Sequence, residues 1–367
     1  MKVVLYIGHH KVGSTALQQF LAQNAHRLMQ NGILYPAVES EGLSYMLARA
    51  LEGSDEAVGE LPINVREPHN ALAFRMWNHR TKFTVPAYHQ NLPALHQMVR
   101  CIENQITMLD PHTVILCSEV MANFGKIDLF LIDQMRMMFG PEVDLEIYCA
   151  LRRPDEYLVS WHGQRLRFGG KLDALRDGGF DTYLNGIHFN YEAMLRPWLE
   201  RCTKATFSIR PYEKVISQGG SIQDFFEQVS IELPSGLLDV PRLNSGYPLA
   251  LYEVMRRCNN ALKRPDSAVL RTYLMSLQDD LDLPANAQIE MYGQSNRQML
   301  YDAFSPIDTW LRSVTGEPAF FDDIDQMLVS RPQAEIDLVP DTIAKIKTHT
   351  PPPGKLPKAA LEAFDAL

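Results

Sequence analysis

Val3-Val4-Leu5-Tyr6-Ile7 is a wholly apolar run rich in β-branched residues, the composition of a strand buried on both faces of a parallel sheet. Gly8-His9-His10-Lys11-Val12-Gly13-Ser14-Thr15 follows it. From residue 16 to 29, Leu17, Phe20, Leu21, Asn24 and Leu28 then recur at helical spacing. A strand that runs through a loop of glycines and hydroxyls into a helix aims the helix's first backbone N–H groups, and the positive end of its dipole, at that loop. An anion belongs there. The phosphate of a nucleotide donor is the expectation that the rest of the chain must support.

Other stretches repeat the strand signal. Ile33-Leu34-Tyr35-Pro36 reads as a short strand or extended segment. Thr113-Val114-Ile115-Leu116-Cys117 is a second buried run, ending in Ser118-Glu119. Residues 143–151 form a third, ending in Arg152-Arg153-Pro154-Asp155, and residues 205–209 a fourth, closed by Arg210-Pro211-Tyr212-Glu213. Helical patterns lie between them at 95–109, 127–139, 156–167 and 191–202, and Ser221 reads as the cap of a helix over Ile222, Phe225, Phe226 and Val229. Beyond Pro234 the chain reads as mostly helical (248–262, 268–277, 289–304 and 320–328), with a peripheral tail after Pro351-Pro352-Pro353-Gly354. Residues 37–92, broken by Gly53-Ser54 and by Pro62, Pro68 and Pro86 and rich in His, Arg, Trp and Tyr, are the least regular part. They read as an insertion over a pocket or as a surface excursion. Strands alternating with helices predict an α/β fold: a mostly parallel central sheet flanked by helices, with functional loops at the strands' C-terminal ends.

Composition narrows the partners. A net charge of −9 opposes a general nucleic-acid or anionic-membrane surface and leaves room for a local basic pocket. No apolar run approaches the length of a membrane span, and the N-terminal run leads into His9-His10-Lys11 without a small-residue cleavage site, so it reads as a core strand and not a signal peptide. Cys101, Cys117, Cys149, Cys202 and Cys258 are an odd, scattered set without metal-ligand spacing, which points to a reducing compartment and a cytoplasmic location. His79, His89 and His96 match no ligand pattern, and no metal is expected.

The loop is not a Walker A motif, because Lys11 precedes Gly13 by two residues where GxxxxGK[ST] needs lysine directly after the second glycine. The physical parts remain: a flexible glycine, a movable cation, two hydroxyls and a helix start. Ile7-Gly8-His9-His10-Lys11-Val12-Gly13-Ser14-Thr15 resembles the P-K-x-G-[ST]-[ST] loop of sulfotransferases that use 3′-phosphoadenosine 5′-phosphosulfate (PAPS), with His10 in the place of the usual proline. A second segment, Leu151-Arg152-Arg153-Pro154-Asp155-Glu156-Tyr157-Leu158-Val159-Ser160-Trp161, resembles the family's 3′-phosphate signature: a strand, an arginine, then a serine eight residues later. Arg152 offers a planar charged fork and Ser160 a neutral donor. Arg153 serves instead or as well, or pairs with Asp155 or Glu156. Tyr191-Glu192 to Trp198, Ile209 to Val215, Gly219 to Phe226, Leu243-Asn244-Ser245 and Gln294-Ser295-Asn296-Arg297 also look similar to bacterial members.

The resemblance implies a P-loop-like sulfotransferase architecture: a single domain over 1–330, with 37–110 inserted to shape the acceptor pocket and 331–367 peripheral. It implies PAPS as donor, with the 5′-phosphosulfate on His10, Lys11, Val12, Gly13, Ser14 and Thr15, the 3′-phosphate on Arg152 and Ser160, and Tyr212 near the adenine. The implied reaction is in-line transfer of the sulfuryl group to a hydroxyl or amine. Lys11 stabilises the leaving phosphate and a general base takes the acceptor proton. Glu119, at the end of the 113–117 strand, is the expected base, with His9, His10 and His162 in reserve; it could instead orient a loop lysine or be a solvated strand-end carboxylate. The acceptor class suggested by the composition of 37–110 and 163–190 is a saccharide or a polar lipid headgroup. A P-loop kinase, or a catalytically inactive nucleotide-binding protein of the same fold, is the alternative.

Overall fold

The five apolar runs pair into one sheet. A computed structural model describes residues 1–52, 60–240, 247–349 and 362. The expectations that fall on Gly53-Ser54, on Leu243-Asn244-Ser245 and on the prolines at 351–353 lie outside these residues. The strands are β1 (Lys2–Tyr6), β2 (Ile33–Leu34), β3 (Thr113–Cys117), β4 (Asp144–Leu151) and β5 (Thr206–Pro211), all parallel, in the order β2-β3-β1-β4-β5. The register sets Tyr6 beside Cys117 on one side and beside Tyr148 on the other, and Leu151 beside Pro211. The connection after β1 leads towards β2, and the connection after β4 leads the opposite way to β5. The crevice beyond the C-terminal ends of β1 and β4 is therefore the topological switch point, where open parallel sheets bind their ligands.

The chain groups into two compact units, Met1–Arg152 with Tyr191–Leu243, and Arg153–Asn190 with Asn244–Leu367. In the first unit, Val4, Tyr6, Ile115, Cys117, Tyr148 and Ala150 share a buried cluster with Leu17, Phe20 and Leu21 of the helix Ser14–Gln23 and with Phe225 and Phe226 of the helix Ser221–Gln228. Each fully buried Leu or Phe contributes roughly 1.5–3 kcal/mol, so the loop after β1 leaves from the best-packed part of the unit.

Three local expectations change. The 16–29 helix is two helices, Ser14–Gln23 and Ala25–Gln30, because Asn24 turns its side chain to the backbone. Its Nδ2 donates to the Phe20 and Leu238 carbonyls, each at 3.0 Å, and its Oδ1 accepts from the Leu238 N–H at 2.7 Å. The segment expected to be irregular holds the helices Ser40–Glu52, Ile63–Arg66 and Pro68–Arg80. The third buries His69 and Asn70 beside Ala71, Leu72 and Ala73, so its inner face is partly polar and shows no clean apolar stripe in the sequence. His69 is held at about 3 by burial, neutral, accepting from the Cys117 N–H at 3.1 Å while its other ring nitrogen meets the Pro36 carbonyl at 3.1 Å. Ser221 is the first residue of its helix and makes no cap; its hydroxyl donates to the Val12 carbonyl at 3.2 Å.

The second unit is mainly helical, with Pro154–Arg167, Tyr252–Ala261, Arg264–Ser276, Gln294–Thr315 and Val339–Thr348, and a two-residue parallel pair, Ile289–Glu290 with Gln333–Ala334. The helices Pro154–Arg167 and Tyr252–Ala261 approach so closely that a Cβ at Gly163 would lie 1.9 Å from the Tyr252 hydroxyl. Two buried carboxylates here share Arg176: Glu335 at 2.9 Å and Glu253 at 3.3 Å. Burial pushes Glu253 up, but hydrogen bonds from Arg256 and Arg257 outweigh it and hold the group at about 2. Glu335 is paired with Arg176 and has a charged carboxylate for a neighbour; burial, then Glu253, outweigh Arg176 and Arg256 and raise it to about 7. A carboxyl whose folded value lies above its unfolded value stabilises fully below the unfolded value and loses that contribution as pH rises through the folded one. Glu335→Gln is thus expected to gain in melting temperature over the wild type as pH rises from about 5 to about 8. A difference that stays constant across that range would contradict the assignment.

Candidate functional site

At the C-terminal end of the sheet, the first loop is built by continuing the β1–β4 ladder and then turning sharply. The Ile7 N–H donates to the Tyr148 carbonyl at 2.9 Å and the His9 N–H to the Ala150 carbonyl at 3.1 Å. Gly8 sits in the tight part, where a Cβ would lie 2.8 Å from the Tyr6 hydroxyl and 2.9 Å from the Ala150 nitrogen. Lys11 then adopts φ +63° and Gly13 φ +83°. The left-handed region is uncommon for a long side chain and costs on the order of 1–3 kcal/mol, a strain that concentrates at ligand clamps and active sites. Gly13 caps the helix Ser14–Gln23, whose first internal bond runs from the Leu17 N–H to the Gly13 carbonyl at 3.2 Å. The amides of Gly13, Ser14, Thr15 and Ala16 have no acceptor within the helix and open on the loop, with no acidic residue in the first turn. This backbone geometry is the kind that cradles an anion at a helix start.

Val12 is fully buried in the core, so its side chain cannot face a ligand; only its backbone belongs to the loop. Ser14 is buried and Thr15 exposed.

The ends of the neighbouring strands bring the remaining residues. Beyond β3, Ser118 donates to Asn70 Oδ1 at 2.7 Å and caps the turn that carries Glu119. Glu119 is buried, and both its oxygens are engaged. Oε2 accepts from Gln18 Nε2 at 3.0 Å; Oε1 accepts from Asn70 Nδ2 at 3.2 Å and lies 3.5 Å from His10 Nδ1. Burial pushes the Glu119 carboxyl up, yet His10 and the amide donors win and hold it below the ordinary carboxylate value. Glu119 is thus a charged carboxylate placed against the loop histidine. Gln18 also donates to the Cys117 carbonyl at 3.3 Å, tying the helix to the end of β3.

Beyond β4, the Arg152 carbonyl accepts from the Tyr191 hydroxyl at 2.6 Å, and its guanidinium lies over the Tyr212 ring at 5.7 Å. Tyr212 opens the short helix after β5. His9 is buried with its ring edge-on to Tyr191 at 4.5 Å. Arg153, next in the chain, is committed within the second unit: Nε to Asp155 at 2.7 Å, NH2 to Glu156 at 3.1 Å, and NH1 to Asp323. Of the two adjacent arginines, Arg153 is the structural one.

One reserve position and one donor candidate lie in the second unit. His162 faces the Tyr183 hydroxyl at 3.0 Å and is held at about 4 by burial. Ser160 is half-buried on Pro154–Arg167. In the first unit the structure gathers His10, Lys11, Gly13, Ser14, Glu119, Arg152 and Tyr212 around the ends of β1, β3, β4 and β5. Sequence reasoning missed Gln18, Asn70 and Tyr191. Gln18 carried one signal, since it falls one helical turn after Ser14; Asn70 carried none.

Among the described residues no group of three or more His, Cys, Asp or Glu side chains is placed to hold a metal ion. None of the described helices is long and apolar enough to cross a membrane. A cavity of about 390 Å³ lined by Arg136, Val143, Leu145, Lys204 and Ala205 lies at the opposite, N-terminal end of β4 and β5, away from these groups. No protein-family model, no curated protein and no solved structure matches this chain.

Proposed function

We propose that this protein is a PAPS-dependent sulfotransferase that moves the sulfuryl group to a hydroxyl or amine of a polar acceptor, of saccharide or lipid-headgroup type. The reading rests on one observation above the others. Two sites suited to anions stand at adjacent strand ends, the amide cradle with Lys11 after β1 and Arg152 after β4. A nucleotide with a 5′-phosphosulfate and a separate 3′-phosphate carries the complementary charges. The donor set fits such a ligand: first-turn amides without an intrahelical acceptor and a lysine for the transferring end, a fork-shaped cation for the 3′-phosphate, and the Tyr212 ring beside Arg152 for a flat base. The role that the sequence resemblance implies for Ser160 rests on the sequence alone.

In this reading the Gly13–Ala16 amides and Lys11 hold the phosphosulfate. Lys11 meets the oxygen that gains charge as the sulfur–oxygen bond breaks, and a general base at the Glu119 end of the site takes the acceptor proton.

Melting in the presence of adenosine 3′,5′-bisphosphate tests the donor assignment. A rise that ATP with Mg²⁺ does not match supports it, since a ligand at 100 times its Kd stabilises by about 2.7 kcal/mol. No shift with the bisphosphate and a clear one with Mg-ATP would favour a kinase. Arg152→Ala is expected to weaken bisphosphate binding by about 10- to 100-fold in calorimetry, the value of a charge-assisted contact, while changing kcat at saturating donor by less than about threefold. Unchanged binding in that variant would remove Arg152 from the site.

A further inference from the structure

Glu119 was the expected base, yet it is buried, engaged on both oxygens and set against a histidine of the loop itself. Its Oε1 lies 3.5 Å from His10 Nδ1, and amides from two different helices, Gln18 and Asn70, fix the carboxylate in place. Asn70 is in turn held by the Ser118 hydroxyl at 2.7 Å and donates to Glu67 at 3.0 Å. So much support on a carboxylate suits a group that orients a neighbour. His10, by contrast, is half-buried at a turn beside Lys11, on the rim of the cradle. A carboxylate on Nδ1 selects the tautomer in which Nδ1 carries the proton and Nε2 is the basic nitrogen, and it stabilises the imidazolium once formed.

We propose that His10 is the catalytic base of the transfer and that Glu119 is its positioning residue, an assignment that rests on the sulfotransferase reading above. In the step, the acceptor O–H or N–H gives its proton to His10 Nε2 as its lone pair forms the bond to sulfur. The bond between sulfur and the 5′-phosphate oxygen breaks, and the electron pair leaves on adenosine 3′,5′-bisphosphate, beside Lys11. His10 then returns the proton to solvent. No oxidant, reductant or further reactant is needed. Base and leaving-group cation are consecutive residues of one loop, which ties proton removal to donor binding.

Other ionisable groups also face Glu119. Glu67, paired with Arg66, is pushed up by burial and by Glu119; His89 is held at about 4 by burial; Tyr6, Tyr35, Tyr88 and Cys117 are all raised by burial. The tyrosines and the thiol stay protonated, and His89 stays neutral, across the neutral range.

The test uses the full chain, labelled PAPS and the acceptor found by screening, with His10→Ala, His10→Gln and Glu119→Gln. Expected for His10→Ala is a loss in kcat of about 10²–10⁴-fold, partly restored by added imidazole, with bisphosphate affinity within about threefold of the wild type. Glu119→Gln is expected to lose about tenfold in kcat while acceptor KM stays within about threefold of the wild type, because the ring has lost the carboxylate that fixes its tautomer. Imidazole is expected not to rescue it. The proposal is overturned if both His10 variants keep kcat within about threefold, or if Glu119→Gln costs as much in kcat as His10→Ala. If the wild type neither binds the bisphosphate nor transfers sulfate, the sulfotransferase reading itself has failed. Circular dichroism of each variant separates a lost base from a lost fold.

Discussion

Lys11→Ala is expected to lower kcat by about 10²–10³-fold while weakening adenosine 3′,5′-bisphosphate binding by no more than about tenfold. The asymmetry follows from where the charge develops. A donor already bound carries most of its charge on phosphate oxygens that the Gly13–Ala16 amides serve. The bridging oxygen gains its charge only as the bond to sulfur breaks, so a cation aimed there acts mainly at the transition state. The backbone supports the assignment, because Lys11 is held at φ +63°, where a lysine is strained. Lys11→Arg keeps the charge but exchanges a compact ammonium for a rigid fork, and is expected to recover only part of kcat. Single-turnover rates against calorimetric affinities decide the point. Equal losses of affinity in Lys11→Ala and Arg152→Ala, with kcat intact in both, would show that Lys11 binds and does not catalyse.

Gly13→Ala carries the second large effect, and it acts on the cradle as a whole. A Cβ at Gly13 would lie 1.8 Å from Ser221 Oγ and 2.8 Å from Ser221 Cβ, at a residue whose φ is +83°. The left-handed conformation alone costs an alanine about 1–2 kcal/mol, and the overlap adds about 1–3 kcal/mol by forcing the helix Ser221–Gln228 or the loop to move. The variant is expected to lose roughly 2–5 kcal/mol of stability and most of its affinity for the bisphosphate, since the first-turn amides are displaced. Pairing it with Ser221→Gly separates the causes. The double variant regains the overlap term and retains the conformational one, leaving a loss of about 1–2 kcal/mol relative to Ser221→Gly alone. A Gly13→Ala protein that melts and binds like the wild type would mean the loop does not need this geometry.

Part of the fold and of the site was legible because its determinants are local. The runs at 3–7 and 113–117 are apolar at nearly every position and 143–151 becomes so after Glu146, the pattern of a buried parallel strand, and each coincides within a residue or two with β1, β3 and β4. The glycine–lysine–glycine loop announced a helix start from chain chemistry, and the helix begins at Ser14. Glu119 and Arg152 could be singled out because they lie within two residues of the ends of apolar runs, where functional loops leave a parallel sheet, whereas Tyr212 was named through the family resemblance alone. The irregular reading of 37–92 failed because Pro68–Arg80 buries polar residues that are satisfied from elsewhere in the chain. A hydropathy period cannot see partners of that kind.

Arg152 and Arg153 mark the boundary between the two kinds of information. Sequence identifies two adjacent arginines at a strand end and, while the resemblance favours Arg152, leaves Arg153 open, since their separate fates depend on what lies around each. One of the partners that commits Arg153, Asp323, is 170 residues away in the chain. In the same way, the amides of Gln18 and Asn70 meet on Glu119 because the strand order seats β1 beside β3 and a later helix brings Asn70 over β3's end. The chain alone determined the strands, the loop and the residue types that carry charge. Tertiary structure decided which charge is already neutralised, which carboxylate faces which histidine, and which glycine has no room for a side chain. Those outcomes are set by hydrogen-bond and ion-pair partners that are distant in sequence, and no local pattern encodes them.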